Sequence, residues 1–242
     1  MVACTKTHER VGMKNEKIII GGIPAIIWGK HSEKAYVHVH GKFSCKEEAE
    51  TFAGIAEKKG YQTISFDLPE HGERKGENYR CDIWNGMRDL SLIADFAFPK
   101  WTVVSLFACS LGAYFSLNAY QNRNFSKCLF QSPIVNMEYL IREMFIWFDV
   151  SEERLRSEGE IQTPIDPLRW DYYQYVFEHP ILTWNIPTAI LYGAKDRFQS
   201  AEIINAFAAA HECQLTVSET SDHPFMQPED IKIVTEWLEK NV

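Results

Sequence analysis

One stretch constrains this chain more than any other: residues 101–117, WTVVSLFACSLGAYFSL. After Lys100 the segment 101–109 carries no charge and is rich in Val, Phe and Leu, the pattern of a strand buried on both faces of a parallel sheet. Residues 110–122 then place Leu111, Phe115 and Leu117 at helical spacing. Ser110 stands at the corner between the two. A sharp strand-to-helix turn lifts such a side chain clear of the sheet, and the helix N-terminus behind it favours negative charge. Ala108 and Gly112, two places either side, are small enough for strand and helix to pack closely at the bend. The plain alternative is an ordinary buried strand followed by a helix N-capped by serine, and the rest of the chain has to decide.

The chain around this corner alternates between strands and helices. Residues 17–28, KIIIGGIPAIIW, hold two β-branched runs about Gly21-Gly22 and predict an antiparallel hairpin. Strands are expected at 34–40, 61–67, 125–132, 188–192 and 214–218. Helices are expected after Ser44, where Ser44 and Glu47 form a capping-box pattern and Gly60 closes the element, over 82–98 up to Pro99, over 201–210, and from about 228 to 240. Strands that alternate with helices imply a mainly parallel sheet covered on both faces. The alternation breaks at 134–184, which has helical periodicity, no clear sheet strand, solvated stretches such as SEERLRSEGE, and a concentration of Trp and Tyr.

With 242 residues, 45% of them hydrophobic, the chain can build one large α/β domain. Its 25 basic and 33 acidic residues give a net charge of −8, and with no basic tract a nucleic-acid partner is not expected. No run approaches the ~18 apolar residues of a membrane span. The N-terminal residues lack the apolar core of a signal peptide. Cysteines 4, 45, 81, 109, 128 and 213 show no C-x-x-C pairing and read as reduced thiols of a cytoplasmic protein.

The segment Ala108-Cys109-Ser110-Leu111-Gly112 resembles the G-x-S-x-G nucleophile elbow of the α/β-hydrolase superfamily, with Ala in place of the first Gly. The resemblance extends from the hairpin at 17 to the last helix. It implies an α/β-hydrolase fold: a mainly parallel sheet of about eight strands flanked by helices, in one domain spanning 1–242, with a helical cap at about 134–184. It also implies a catalytic triad in the order Ser, acid, His. Asp196 in LYGAKDRF and His223 in ETSDHPF follow two late strands, at the sheet edge where open α/β proteins build their sites. Asp166, in the cap, is the rival acid. His179, His211 and His8 are poorly placed as bases. Of the two oxyanion donors such chemistry needs, the backbone N–H of Leu111 follows the nucleophile at a helix N-terminus. By resemblance to the family's His-Gly loop the second is the N–H of Lys42 in HVHGKFS, with Phe43 the lesser candidate and the Lys42 side chain solvated.

His38 and His40 share a strand face, but with no third ligand and His40 matching the family's structural histidine, no metal is expected. No organic cofactor is expected either. Residues 66–72, FDLPEHG, resemble a turn common in these proteins and support the fold alone. Cys109 is expected to face the core. The cap aromatics, among them Trp147, Trp170 and Tyr173, either pack the cap onto the body or line a substrate pocket. Together these features imply a carboxylesterase-like serine hydrolase acting on a small-molecule ester with a small to medium acyl or aromatic group. Amide or thioester cleavage on the same triad, or a hydrolase-fold binding protein without turnover, are the alternatives.

Overall fold

The computed structural model describes residues 13–242. Cys4, His8 and the reading of the first residues as lacking a leader therefore lie outside the described residues. The chain opens with the hairpin β1 (Asn15–Ile20) and β2 (Ile23–Trp28). Gly21 and Gly22 both take positive φ, 58° and 90°, as a two-residue hairpin loop matched to strand twist requires. There follow β3 (Lys34–Val39), a 3-10 turn at Lys46–Ala49, α1 (Glu50–Lys58), β4 (Gln62–Phe66), α2 (Ile83–Lys100), β5 (Val103–Cys109), α3 (Leu111–Ala119) and β6 (Cys128–Gln131). The inserted segment holds α4 (Met137–Trp147), α5 (Glu152–Glu158), β7 (Glu160–Ile161), β8 (Leu168–Arg169) and α6 (Trp170–Glu178). Then come β9 (Thr188–Gly193), α7 (Ala201–Ala210), β10 (Gln214–Ser218) and α8 (Asp230–Asn241).

Eight strands form one sheet in the order β1-β2-β4-β3-β5-β6-β9-β10. β2 runs antiparallel to both β1 and β4, and every later pairing is parallel. Strand alternation divides the buried side chains between two faces. Val37, Val39, Ile64, Phe66, Leu106, Ala108 and Phe130 join the core that contains α2, α3 and α7. Tyr36, Phe107, Leu129 and Leu191 join Phe52, Ile55, Trp237 and Leu238 of α1 and α8. Both faces are covered, which is why β3 and β5 read as continuous apolar runs.

Three local expectations are corrected. Ser44 and Glu47 do not form a capping box: Ser44 Oγ donates to Glu48 Oε2 at 2.6 Å, and Glu47 is drawn to the buried Lys46 ammonium at 3.0 Å, which also meets Asp67 and Glu73. Pro99 does not stop α2 but sits in its last turn, which closes when Trp101 N–H donates to Ala97 O at 3.1 Å. A proline so near the end forfeits one N–H bond without breaking the turns before it. The inserted segment does contain strands, since β7 and β8 form a two-residue antiparallel ladder apart from the main sheet. Among the described residues no disulfide joins two cysteines, and no helix is long and apolar enough to cross a membrane.

His38 and His40 lie buried on β3 and just beyond it. The His38 ring stacks on Phe107 at 4.6 Å with no hydrogen-bond partner for Nδ1 among the described residues, whereas His40 Nδ1–H donates to Gly41 O at 2.7 Å and Nε2 accepts from Leu68 N–H at 3.0 Å. Burial lowers their pKa values to about 3 and about 4. The unfolded chain takes up these protons near pH 6.5 and the folded chain only far below it. Stability is therefore expected to fall as pH drops from about 6.5 toward 4, by about 1.4 kcal/mol per pH unit for each histidine. Urea unfolding from pH 7 to 4.5 checks this, with His38→Phe expected to remove about half of these histidines' share of the slope. An unchanged slope in that variant would refute it.

Candidate active site

The corner between β5 and α3 puts Ser110 at φ 50°, ψ −119°, a backbone conformation few residues adopt without tertiary constraint. Gly112 explains how the corner closes. A Cβ there would lie 2.4 Å from His40 O and 2.8 Å from Val39 O, so only glycine lets α3 approach the end of β3. At Gly41 a Cβ would stand 3.2 Å from Ser110 Cβ, so this loop also sits tightly against the serine. Ala108 is fully buried in the core, so its methyl group is accommodated inside the sheet.

Three side chains from three strand ends meet here. Ser110 Oγ lies 2.7 Å from His223 Nε2, and His223 Nδ1 lies 2.8 Å from Asp196 Oδ2. The carboxylate fixes the tautomer: Nδ1 carries the proton and donates to Asp196, which leaves Nε2 to accept from the Ser110 hydroxyl. Asp196 Oδ1 accepts from the N–H groups of Phe198 (2.7 Å) and Gln199 (3.3 Å), and its side chain is fully buried. The loops bearing acid and histidine are laced together. Ala194 N–H donates to Ser218 O, Lys195 N–H to Ser221 O, and Gln131 Nε2 holds Pro224 O at 2.9 Å. Ser110 itself is only 8% exposed.

The remaining candidates separate clearly. Asp166 does not meet His223; it pairs with Lys42 Nζ at 2.5 Å, so the Lys42 side chain is ion-paired rather than solvated as expected. His179 stacks on Tyr175 and His211 packs on Phe207. The N–H of Phe43 is taken by His71 Nε2 at 3.0 Å. The N–H of Leu111, at the first position of α3, has no preceding helical turn to bond to. Burial raises the Cys109 thiol to about 12, and its side chain packs with the α1/α8 face of the sheet. Among the described residues no group of three or more His, Cys, Asp or Glu side chains is arranged to hold a metal ion.

Of the three aromatics singled out in the inserted segment, Trp147 is brought toward the site. Its ring lies 5.8 Å from Phe198, whose own ring lies 4.5 Å from His223. Trp170 and Tyr173 are placed otherwise. They pack on each other at 5.9 Å, Tyr173 also meets Phe145 and Glu152, and Arg156 lies over Trp170. These contacts hold α4, α5 and α6 together. The sequence reading missed Phe198, Gln199 and His71. The first two were findable as the N–H groups just past a candidate acid; His71 lay in the 66–72 turn, taken as a marker of fold alone.

No family model matches the chain, and no curated protein matches its sequence. Solved structures do. Est1E from Butyrivibrio proteoclasticus, with ferulic acid bound, is 16% identical over 93% of this chain and 96% of its own, with a TM-score of 0.74. Mouse alpha/beta hydrolase domain-containing protein 10 is 14% identical over 94% and 97%, with a TM-score of 0.75. The Pyrococcus furiosus esterase Pf2001 is 17% identical over 95% and 91%, with a TM-score of 0.63. Identities this low speak for architecture, and with the sheet order and the elbow described above they establish that the chain has the fold of the α/β-hydrolase superfamily.

Proposed function

We propose that the chain is a serine hydrolase that cleaves a carboxylic ester through an acyl-enzyme. The observation that carries this reading is the unbroken chain of short hydrogen bonds from Ser110 through His223 to Asp196. In the first step Ser110 Oγ attacks the carbonyl carbon while His223 Nε2 takes its proton, and Asp196 stabilises the imidazolium. Negative charge on the carbonyl oxygen is met by the N–H groups of Leu111 and Lys42. His223 then gives its proton to the departing alcohol. Water, deprotonated by the same His223, releases the acid and restores Ser110. No step calls for a metal or an organic cofactor.

Residues 1–242 are read as one catalytic domain with 134–184 as its cap, supported by the Trp147–Phe198–His223 line of rings and the Lys42–Asp166 pair. An apolar or aromatic acyl group suits that line. The structural likeness to proteins named as esterases supports an ester over an amide or thioester. Cysteines scattered along the chain without C-x-x-C spacing fit a cytoplasmic, reducing setting. The test is a fluorophosphonate probe followed by peptide mapping, with a panel of esters, thioesters and aminoacyl amides. The expected outcome is one adduct, on Ser110, with esters turned over fastest. An adduct elsewhere, or no turnover of any panel member, would overturn the proposal.

A further inference from the structure

Two braces meet at the loop that carries Lys42, and one of them comes from the inserted segment. The Lys42 Nζ–Asp166 Oδ1 pair is partly shielded, its side chains 21% and 38% exposed. Asp166 is itself held in a tight turn: Thr163 Oγ1 donates to Asp166 O at 2.6 Å and accepts from the N–H groups of Ile165 and Asp166 at 3.3 and 3.2 Å. On the body side, Phe43 adopts a left-handed φ of 66° and gives its N–H to His71 Nε2, while His71 Nδ1–H donates to Pro69 O at 2.8 Å. Gly41, one residue before Lys42, is seated against Ser110 Cβ. The main chain is thus fixed on both sides of Lys42 by the body, and the Lys42 side chain is fixed by the insertion.

We propose that Asp166 is a positioning residue that couples the insertion to the oxyanion loop, so that the Lys42 N–H is aligned only while the turn at 163–166 is docked on Lys42. This rests on the serine hydrolase reading above. The insertion then does more than shape a pocket: when its turn lifts away, the oxyanion site loses one of its two braces. Transition-state donors are sensitive to displacements of a fraction of an ångström. A partly exposed ion pair is a modest clamp, so the loss on breaking it is expected to be about threefold to fivefold.

A small fluorophosphonate tests this without knowledge of the natural substrate, because its phosphonyl oxygen takes the oxyanion position while little of the probe reaches the cap. The readout is the second-order labelling rate of the full-length chain, followed by intact mass. Asp166→Asn and Lys42→Met are each expected to slow labelling about threefold to fivefold, with melting temperature and final stoichiometry unchanged. The double variant should be no slower than either single one, and the charge exchange Lys42→Asp with Asp166→Lys should restore much of the rate. Rising salt should slow the wild type toward the variants and leave the variants unaffected. Wild-type rates in both single variants, or losses that multiply in the double, would overturn the coupling. A wild-type chain that takes no label at Ser110 would overturn the underlying reading of the site instead.

Discussion

Ser110→Ala is expected to lower kcat by about 10⁶, to the residual rate that binding and the oxyanion donors sustain alone. No neighbouring group can take over the attack. Cys109 is adjacent in sequence, but strand alternation turns it to the opposite face, and burial holds its thiol up at about 12, where almost no thiolate exists near neutrality. Nor should the substitution unfold the protein. Ser110 precedes α3 but its side chain makes no capping bond; among the described residues its hydroxyl bonds to His223 alone. Deleting that hydroxyl therefore removes one hydrogen bond and no cap, a change within about 1.5 kcal/mol. Steady-state assays on the preferred ester, paired with thermal unfolding, check both halves. Turnover within tenfold of wild type in a folded Ser110→Ala variant would show that the nucleophile lies elsewhere.

How much of this was legible beforehand depended on whether a residue's role is set by its place along the chain or by its partner in space. Ser110, Asp196 and His223 each follow a strand, and parallel strands deliver their C-terminal ends to one edge. Their order alone therefore brought them within reach. The small residues at the elbow could likewise be read, because crowding at Gly112 is a local consequence of a strand turning into a helix. The Lys42 side chain could not. Its partner Asp166 lies 124 residues away in a loop whose docking no periodicity encodes. Lys46 misled for a related reason: a lysine surrounded by Glu47, Asp67 and Glu73 is buried and paired, but from sequence it looks like the start of a solvated helix, and Glu47 looks like a cap. The aromatics of the inserted segment were ambiguous on principle, since helical spacing of Trp and Tyr is the same whether the rings line a pocket or bind helix to helix. Within one insertion, Trp147 meets Phe198 of the body while Tyr173 meets Phe145 and Trp170 of the insertion itself.

Asp196→Asn is expected to cost about 10⁴ in kcat with the fold intact. The substitution is nearly isosteric, and the amide oxygen can keep the bonds from Phe198 and Gln199 N–H that now hold Oδ1. That orientation turns the amide NH2 toward His223 Nδ1. Two donors cannot face each other there, so the neutral imidazole moves its proton to Nε2. It then donates toward Ser110 Oγ and can no longer accept the proton that attack releases. The imidazolium that forms in the transition state also loses its buried counter-charge. Asp166→Asn offers the contrast, because it perturbs only the clamp on Lys42 and should cost no more than about fivefold. Steady-state kinetics of the two purified variants, with unfolding midpoints to confirm that both are folded, ranks them. A larger loss in Asp166→Asn than in Asp196→Asn would move the acid from the loop after β9 into the insertion, and would require His223 to meet Asp166 during turnover, which the 2.8 Å bond to a fully buried Asp196 opposes.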